Sequence, residues 1–209
     1  HRPDQVVVMF DLKEPTFRHQ RLESYKANRE KTPDVLVQQM GIVREVVDAL
    51  GLPVVTRVGF EADDVIATLA TQAAAASTDV IIVTGDRDSY QLVQDPHIRV
   101  LYNKRGVSDY ALYDEAGIEE RTGVKPDQYV WYAALRGDQS DNLPGVPGVG
   151  EKTAAKLVTT YGDLDGIFDH LDEQTPKLRQ NLTENEFQAR TNAELMALVR
   201  DVPLEVGLV

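Results

Sequence analysis

Val80–Thr84 (VIIVT) is an uninterrupted β-branched run that stops at Gly85 and passes directly into Asp86, Arg87 and Asp88. Such a run suits a strand buried on both faces of a sheet. Similar runs occur at Val6–Phe10, which leads into Asp11, and at Pro53–Val58. Between them the spacing predicts a helix over Val35–Leu50, stopped by Gly51, and another over Ala62–Ala76 with Asp63 and Asp64 in its first turn. A further strand is expected at Ile98–Tyr102. Strands alternating with helices imply βαβ crossovers, and therefore an α/β fold with a mostly parallel central sheet flanked by helices. Ligands of such sheets sit beyond the carboxyl ends of the strands, where Asp11 and Asp86 fall.

From Pro126 onward the strand signals stop, and helices are expected at Asp127–Arg136, Glu151–Tyr161, Leu164–Leu171 and Glu184–Arg200. The expected organisation is an α/β core over residues 1–109 and a helical part over residues 110–209, beginning near Tyr110. With 209 residues and 42% hydrophobic content the chain can bury a sizeable core. No apolar run is long enough to span a bilayer, and His1, Arg2, Pro3 and Asp4 lack the apolar stretch of a secretory signal, so a cytoplasmic protein is expected. The absence of cysteine excludes disulfides and thiolate metal sites. A bound metal would take oxygen ligands or the four histidines, and hard cations such as Mg²⁺ or Mn²⁺ fit the oxygen-rich composition best.

A net charge of −12 argues at first against a nucleic-acid partner, because phosphate binding leaves a basic footprint. The distribution matters more than the total. Lys13–Lys31 holds six basic residues (Lys13, Arg18, Arg21, Lys26, Arg29, Lys31) against three acidic ones, a local excess of +3.

Eight acids fall in four clusters: Asp11; Glu61, Asp63 and Asp64; Asp86 and Asp88; Asp138 and Asp141. Each sits at a strand end, a helix start or a glycine-bounded turn. Glu61 and Asp64, three apart, share a helix face, and Asp138 and Asp141 in GDQSDN are aimed by a turn beside Gly137. Singly, each cluster has an ordinary explanation: favourable charge at a helix N-terminus, an N-cap, an Asx turn. Together they do not, because that many converging anions repel one another unless cations lie between them. Two divalent ions about 4 Å apart are the recurring arrangement for phosphoester cleavage, one lowering the pKa of an attacking water and the other stabilising the leaving oxygen. The histidines His1, His19, His97 and His170 stand apart from these clusters in sequence.

The strings FD (Phe10, Asp11), TFR (Thr16–Arg18), YKANR (Tyr25–Arg29), TPD (Thr32–Asp34), GFEADD (Gly59–Asp64), TGDRD (Thr84–Asp88), LRGDQSDNLPGVPGVGEKTA (Leu135–Ala154) and DVPL (Asp201–Leu204) follow one another along nearly the whole chain. In this order they resemble the 5′ nuclease domain family of bacterial DNA polymerase I. The resemblance implies a PIN-like 5′ nuclease fold and a structure-selective 5′-3′ exonuclease and flap endonuclease acting in replication and repair. It implies metal-ligand roles for Asp11, Glu61, Asp63, Asp64, Asp86, Asp88, Asp138 and Asp141, with two or more Mg²⁺ or Mn²⁺ ions. It places residues 13–34 at the base of a helical arch, with Lys26 and Arg29 catalytic, Lys26 against the scissile phosphate, Arg18 binding substrate and Tyr25 stacking on a terminal base.

Gly145–Ala154 is similar to the family's helix-hairpin-helix element, spanning about residues 143–161. The resemblance implies that Gly148, Gly150, Lys152, Thr153 and Lys156 bind duplex phosphates without base readout, and that loop carbonyls hold K⁺. Implied partners are DNA with 5′ flaps, 5′ ends or nicks, and RNA-primed DNA; a monomer and no membrane association are expected. The family pattern opens with another strand carrying an Asp-Gly metal ligand, and the matched strings begin after it, so a core lacking that strand is expected. Two other functions stay open on sequence grounds: a Mg²⁺ phosphatase or small RNase using strand-end aspartates, and a DNA-binding module that does not cut.

Overall fold

The structure, a computed structural model, describes residues 2–106 and 108–205. Its elements in order are β1 (Val8–Met9), α1 (Phe17–Arg21), α2 (Asp34–Ala49), β2 (Val54–Val55), α3 (Ala62–Ala75), β3 (Val80–Thr84), β4 (Ile98–Arg105), β5 (Asp109–Tyr113), α4 (Glu115–Thr122), α5 (Tyr129–Arg136), β6 (Gly137–Asp138), β7 (Leu143–Pro144), α6 (Glu151–Tyr161), α7 (Leu164–Asp169), α8 (Pro176–Glu184) and α9 (Glu186–Met196). Short 3₁₀ turns join several of them, including Arg87–Leu92 after β3 and Pro126–Gln128 before α5.

The parallel pairings expected of βαβ units are present: β1 with β2, Val8 opposite Val54, and β3 with β4, Val80 opposite Ile98. Among the described residues these pairs belong to separate sheets, β1-β2 and β3-β4-β5, instead of one continuous sheet. Helix α3 joins them. Val65 and Leu69, one turn apart, pack with Val55 of β2, while Ala67 and Ala70 face the main core with Ile82. The expectation that β3 is buried on both faces fails: Ile82 is buried, whereas Val83 is 70% exposed and Ile81 is also exposed. β5 pairs antiparallel with β4, so the sheet continues to Tyr113 and helices begin at Glu115.

Two further departures concern helices. The segment read as one helix over Glu184–Arg200 holds only the last residue of α8, a break at Asn185 and then α9, and the chain after Met196 is irregular. Helix α2 forms where its periodicity predicts, yet only Val47 is buried, and Val35, Leu36, Val37, Met40, Ile42, Val43, Val46 and Leu50 are exposed. No helix among the described residues is long and apolar enough to cross a membrane.

One core spans the sheet and the helical part: Ile82, Tyr90, Ile98 and Val100 pack with Tyr129, Leu135, Leu182 and Leu195. Helix α5 buries Tyr129, Tyr132, Ala133, Ala134 and Leu135 and ends at Gly137, whose φ of +80° favours glycine. There two stretches of main chain cross closely. A Cβ on Gly137 would lie 2.2 Å from the Gly145 nitrogen, and one on Gly145 would lie 2.1 Å from the Arg136 carbonyl oxygen. Only paired glycines permit this approach. It closes β6 on β7, Asp138 opposite Leu143, and presents residues 139–142 as a tight turn.

Candidate active site

Three stretches distant in sequence supply carboxylates to one cleft. Glu61 precedes α3 and Asp63 lies in its first turn. Asp86 caps the 3₁₀ turn after β3, its Oδ1 accepting the Asp88 N–H at 2.9 Å. Asp138 and Asp141 come from the β6–β7 turn, where Asp138 Oδ1 accepts from Ser140 N at 2.7 Å and Ser140 Oγ at 2.6 Å. Glu61, Asp63, Asp86, Asp88 and Asp141 line the cleft with Tyr25 and Lys26. Asp11 stands at its edge, exposed, accepting the Ala62 N–H at 2.8 Å.

The crowding has electrostatic consequences. Burial, and then the neighbouring carboxylates of Asp86, Asp11 and Glu61, push Asp63 up to about 7. Asp88 is raised well above the carboxylate range by burial and by Asp86, Asp138, Asp141 and Asp63. Asp138 moves the other way: burial acts to raise it, but hydrogen bonds from Ser140 and the Asp141 N–H outweigh that and hold it low. Among the described residues no three acids meet at a single point with metal-shell spacing. The protein itself brings positive charge to the cleft.

That charge comes from the turn after α1. Lys26 Nζ lies 2.8 Å from Glu61 Oε1 and 3.9 Å from Asp141 Oδ2, and Arg29 lies 2.7 Å from Asp141 Oδ1. The segment is clamped on the β6–β7 turn: the Lys26 N–H donates to the Asp141 carbonyl, Asn28 to the Gln139 carbonyl, and Asn142 to the Ser24 carbonyl. Lys26 has φ of +57°, uncommon for a residue with a Cβ and costly by about 1–3 kcal/mol. The surrounding hydrogen bonds hold it there.

Three expected roles are corrected. Arg18, read as a substrate contact, is 1% exposed at the inner wall of the cleft and its guanidinium is taken up by the protein. Its guanidinium makes a two-pronged bond to Asp64 at 2.6 and 2.8 Å and donates to the Leu195 and Ala197 carbonyls. Asp64, read as a metal ligand, is fully buried, and it also accepts the Val199 and Glu61 N–H groups, so its oxygens are committed. Tyr25, read as a base-stacking platform, is 4% exposed. Its hydroxyl donates to Asp141 at 2.9 Å and lies 3.3 Å from Glu61, so it positions two carboxylates.

The hairpin residues lie where the sequence puts them. Gly148 has φ of +78°, Gly150 is the N-cap of α6, and Lys152 and Lys156, four apart, are exposed on α6 with Thr153 half-buried between them. The Pro147 carbonyl accepts from Asn181 Nδ2 at 2.6 Å, anchoring the loop to α8. His97 pairs with Asp79, His170 bonds the Gly166 carbonyl and His19 bonds Thr16, none of them bonding a cleft carboxylate; His1 lies outside the described residues. Sequence reasoning missed Arg87 and Arg136, which line a cavity of about 450 Å³ beside Asp86 and Asp138. The signal was present in TGDRD and LRGD, where an arginine interrupts or precedes the acids.

The chain is 50% identical over 202 residues to DNA polymerase I of Mycobacterium tuberculosis, covering 97% of this chain and 22% of the relative. It is 44% identical over 203 residues to the thermostable DNA polymerase I of Thermus thermophilus, covering 97% of this chain and 24% of that one. It thus spans about a fifth to a quarter of these relatives' length. T5 5′-exonuclease with bound zinc ions superposes with a TM-score of 0.79 at 24% identity, covering 94% of this chain and 75% of that one. The catalytic core of Rad2 in complex with a DNA substrate gives 0.60 at 20% identity, covering 96% and 69%. Both share the fold. Residues 1–123 match the 5′-3′ exonuclease N-terminal resolvase-like domain, and residues 124–209 match the 5′-3′ exonuclease C-terminal SAM fold. With both domains matched end to end, the chain belongs to the 5′-3′ exonuclease family.

Proposed function

We propose that this chain is a structure-selective 5′ nuclease that hydrolyses DNA phosphodiesters at 5′ flaps and 5′ ends. The observation that carries the proposal is the gathering of Glu61, Asp63, Asp86, Asp88 and Asp141 in one cleft under the Lys26 ammonium. The donor set fits hard divalent cations: it is all oxygen, and Asp63 is raised first by burial and then by neighbouring carboxylates, whose repulsion such ions would relieve. Asp11, Glu61, Asp63, Asp86, Asp88, Asp138 and Asp141 are the residues that would hold them. Bound divalent ions supply a water of lowered pKa and stabilise the leaving oxygen. Mg²⁺ or Mn²⁺ here, and K⁺ at the hairpin, rest on the family resemblance.

The chain's own groups do the rest. Lys26, drawn to Glu61 and Asp141 in the free protein, is placed to meet the scissile phosphate and stabilise its growing charge. Arg29, half-exposed beside Asp141, meets the same strand. The α6 N-terminus with Lys152 and Lys156 holds the duplex by its backbone, which gives selectivity for structure instead of sequence. The similar proteins, a DNA polymerase I and a nuclease core in complex with DNA, agree with DNA as the substrate.

The test is Mn²⁺-dependent cleavage of a 5′-flap duplex by this chain and by Asp86→Asn and Asp138→Asn. Cleavage that either substitution abolishes, with flap binding kept, is the expected result. Binding without cleavage by the unaltered chain would leave a DNA-binding module in place of a nuclease.

A further inference from the structure

The arginines beside the acid cleft have an arrangement that the proposed reaction has not used. Arg87 follows Asp86 at the end of β3, and Arg136 is the last residue of α5, immediately before the glycine crossing. Both line the cavity of about 450 Å³ bordered by Asp86, Asp138 and Tyr102, a volume in the range of small-ligand sites. Both guanidiniums are held in place by neutral groups. The Tyr102 phenol lies against Arg87, while Arg136 donates to the Gly137 carbonyl at 3.2 Å and sits 5.4 Å over the Tyr132 ring.

Their shared acidic neighbour is Glu151, the first residue of α6. Its Oε1 is 3.5 Å from Arg87 and 3.6 Å from Arg136. Charge-assisted hydrogen bonds of this kind run about 2.7–2.9 Å, so Glu151 approaches both arginines without satisfying either. Its side chain is 61% exposed, and such an exposed pair is worth little and is easily displaced. Two preorganised forks facing one loosely placed carboxylate form a site for a tetrahedral anion with more oxygens to offer.

We propose that Arg87 and Arg136 together bind a backbone phosphate of the DNA strand running between the acid cleft and the hairpin, and that Glu151 holds this position in the free chain until the phosphate displaces it. The proposal rests on the nuclease reading above and adds a contact separate from Lys26, Arg29, Lys152 and Lys156. Geometry favours nucleic acid over a free anion. The cavity is lined by Asp86 and Asp138, and its two arginines lie beside Glu151 at the start of α6, so it stands between the acid cleft and the hairpin that a bound strand would connect.

The experiment measures binding of a fluorescein-labelled 5′-flap duplex in Ca²⁺ buffer across a series of KCl concentrations, using the full chain and Arg87→Ala, Arg136→Ala, Arg136→Lys and Glu151→Gln. Each alanine variant is expected to weaken binding about tenfold and to lower the salt slope by about one unit. Arg136→Lys should keep the slope while losing part of the affinity, because charge remains and the fork does not. Glu151→Gln should tighten binding, and the gain should vanish when Arg87→Ala and Arg136→Ala are both present. An unchanged slope in folded Arg87→Ala, or a Glu151→Gln gain that persists without the arginines, overturns the proposal. Arg87 is half-exposed, so its variant decides the matter even if Arg136→Ala fails a thermal-melt check of folding. If the unaltered chain does not bind the flap duplex, the nuclease reading fails and this inference falls with it; if it binds and only the arginine results fail, the nuclease reading stands.

Discussion

Replacing Arg18 with alanine distinguishes a buried brace from a DNA contact. The guanidinium makes two bonds to Asp64, at 2.6 and 2.8 Å, and two to the carbonyls of Leu195 and Ala197. The substitution leaves the Asp64 carboxylate buried with only backbone N–H partners and strands two carbonyls. Breaking a buried pair in this way costs about 3–5 kcal/mol. Against a total stability of about 5–15 kcal/mol this is a large share. At about 2–4 °C per kcal/mol for a chain of this size, the melting temperature should fall by roughly 6–20 °C. Urea titration followed by circular dichroism measures the loss directly, from the shift in midpoint at constant slope. The double variant Arg18→Met with Asp64→Leu should recover part of the loss but not all of it, since the Val199 and Glu61 N–H groups remain without their acceptor. A loss below about 1 kcal/mol, the range of an exposed ion pair, together with weakened flap binding, would refute the assignment and restore Arg18 as a substrate contact.

Asp63 sets a pH dependence. Its folded-state pKa of about 7 lies above the ordinary 3.8, so the metal-free fold binds that proton more tightly than the unfolded chain and loses stability as pH rises between those values. Asp63→Asn should therefore match the unaltered chain near pH 4 in EDTA and melt higher at pH 8; equal melting temperatures at pH 8 would contradict the repulsion described. Lys26→Ala should lower the single-turnover rate of flap cleavage on the order of 10²-fold with the fold intact, and an unaltered saturated rate would remove its catalytic role. Lys152→Ala and Lys156→Ala should each lower the salt slope of duplex binding by about one unit, equally for unrelated sequences; a sequence-dependent loss would point to base readout instead.

The strands and helices were legible where a periodic or continuous apolar signal existed, as in Val80–Thr84 and Ala62–Ala75. β5 was not, because Tyr110 and Leu112 face solvent and its register depends on β4, a partner that local spacing does not reveal. Which residues carry acid groups toward the cleft was visible in the motifs. Which of them were already committed was not. Asp64 and Asp63 are adjacent and chemically alike, yet the helix turns one toward Arg18 in the interior and the other toward the cleft, and only the position of Arg18, 46 residues away in sequence, separates them. Tyr25 escaped for the same reason: a motif gives the residue, whereas burial against Glu61 and Asp141 gives its role. The family resemblance contributed the order of the motifs and the hairpin, and left Arg87 and Arg136 unremarked because no role was attached to them.

The contact of Gly137 with Gly145 has a metric consequence. It fastens the turn bearing Asp138 and Asp141 to the loop that carries Gly148 and Gly150, main chain against main chain, with no side chain in between. Side chains swing through rotamers, but two touching backbones neither stretch nor pivot without breaking the crossing. On the proposed function this makes a ruler. The span from the phosphate grip on the duplex to the carboxylates is fixed by main-chain packing, so the number of nucleotides between the duplex junction and the cut is a property of the scaffold. Changes to lysines and arginines along the path would then alter how tightly or how fast the strand is cut, while the position of the cut would stay the same.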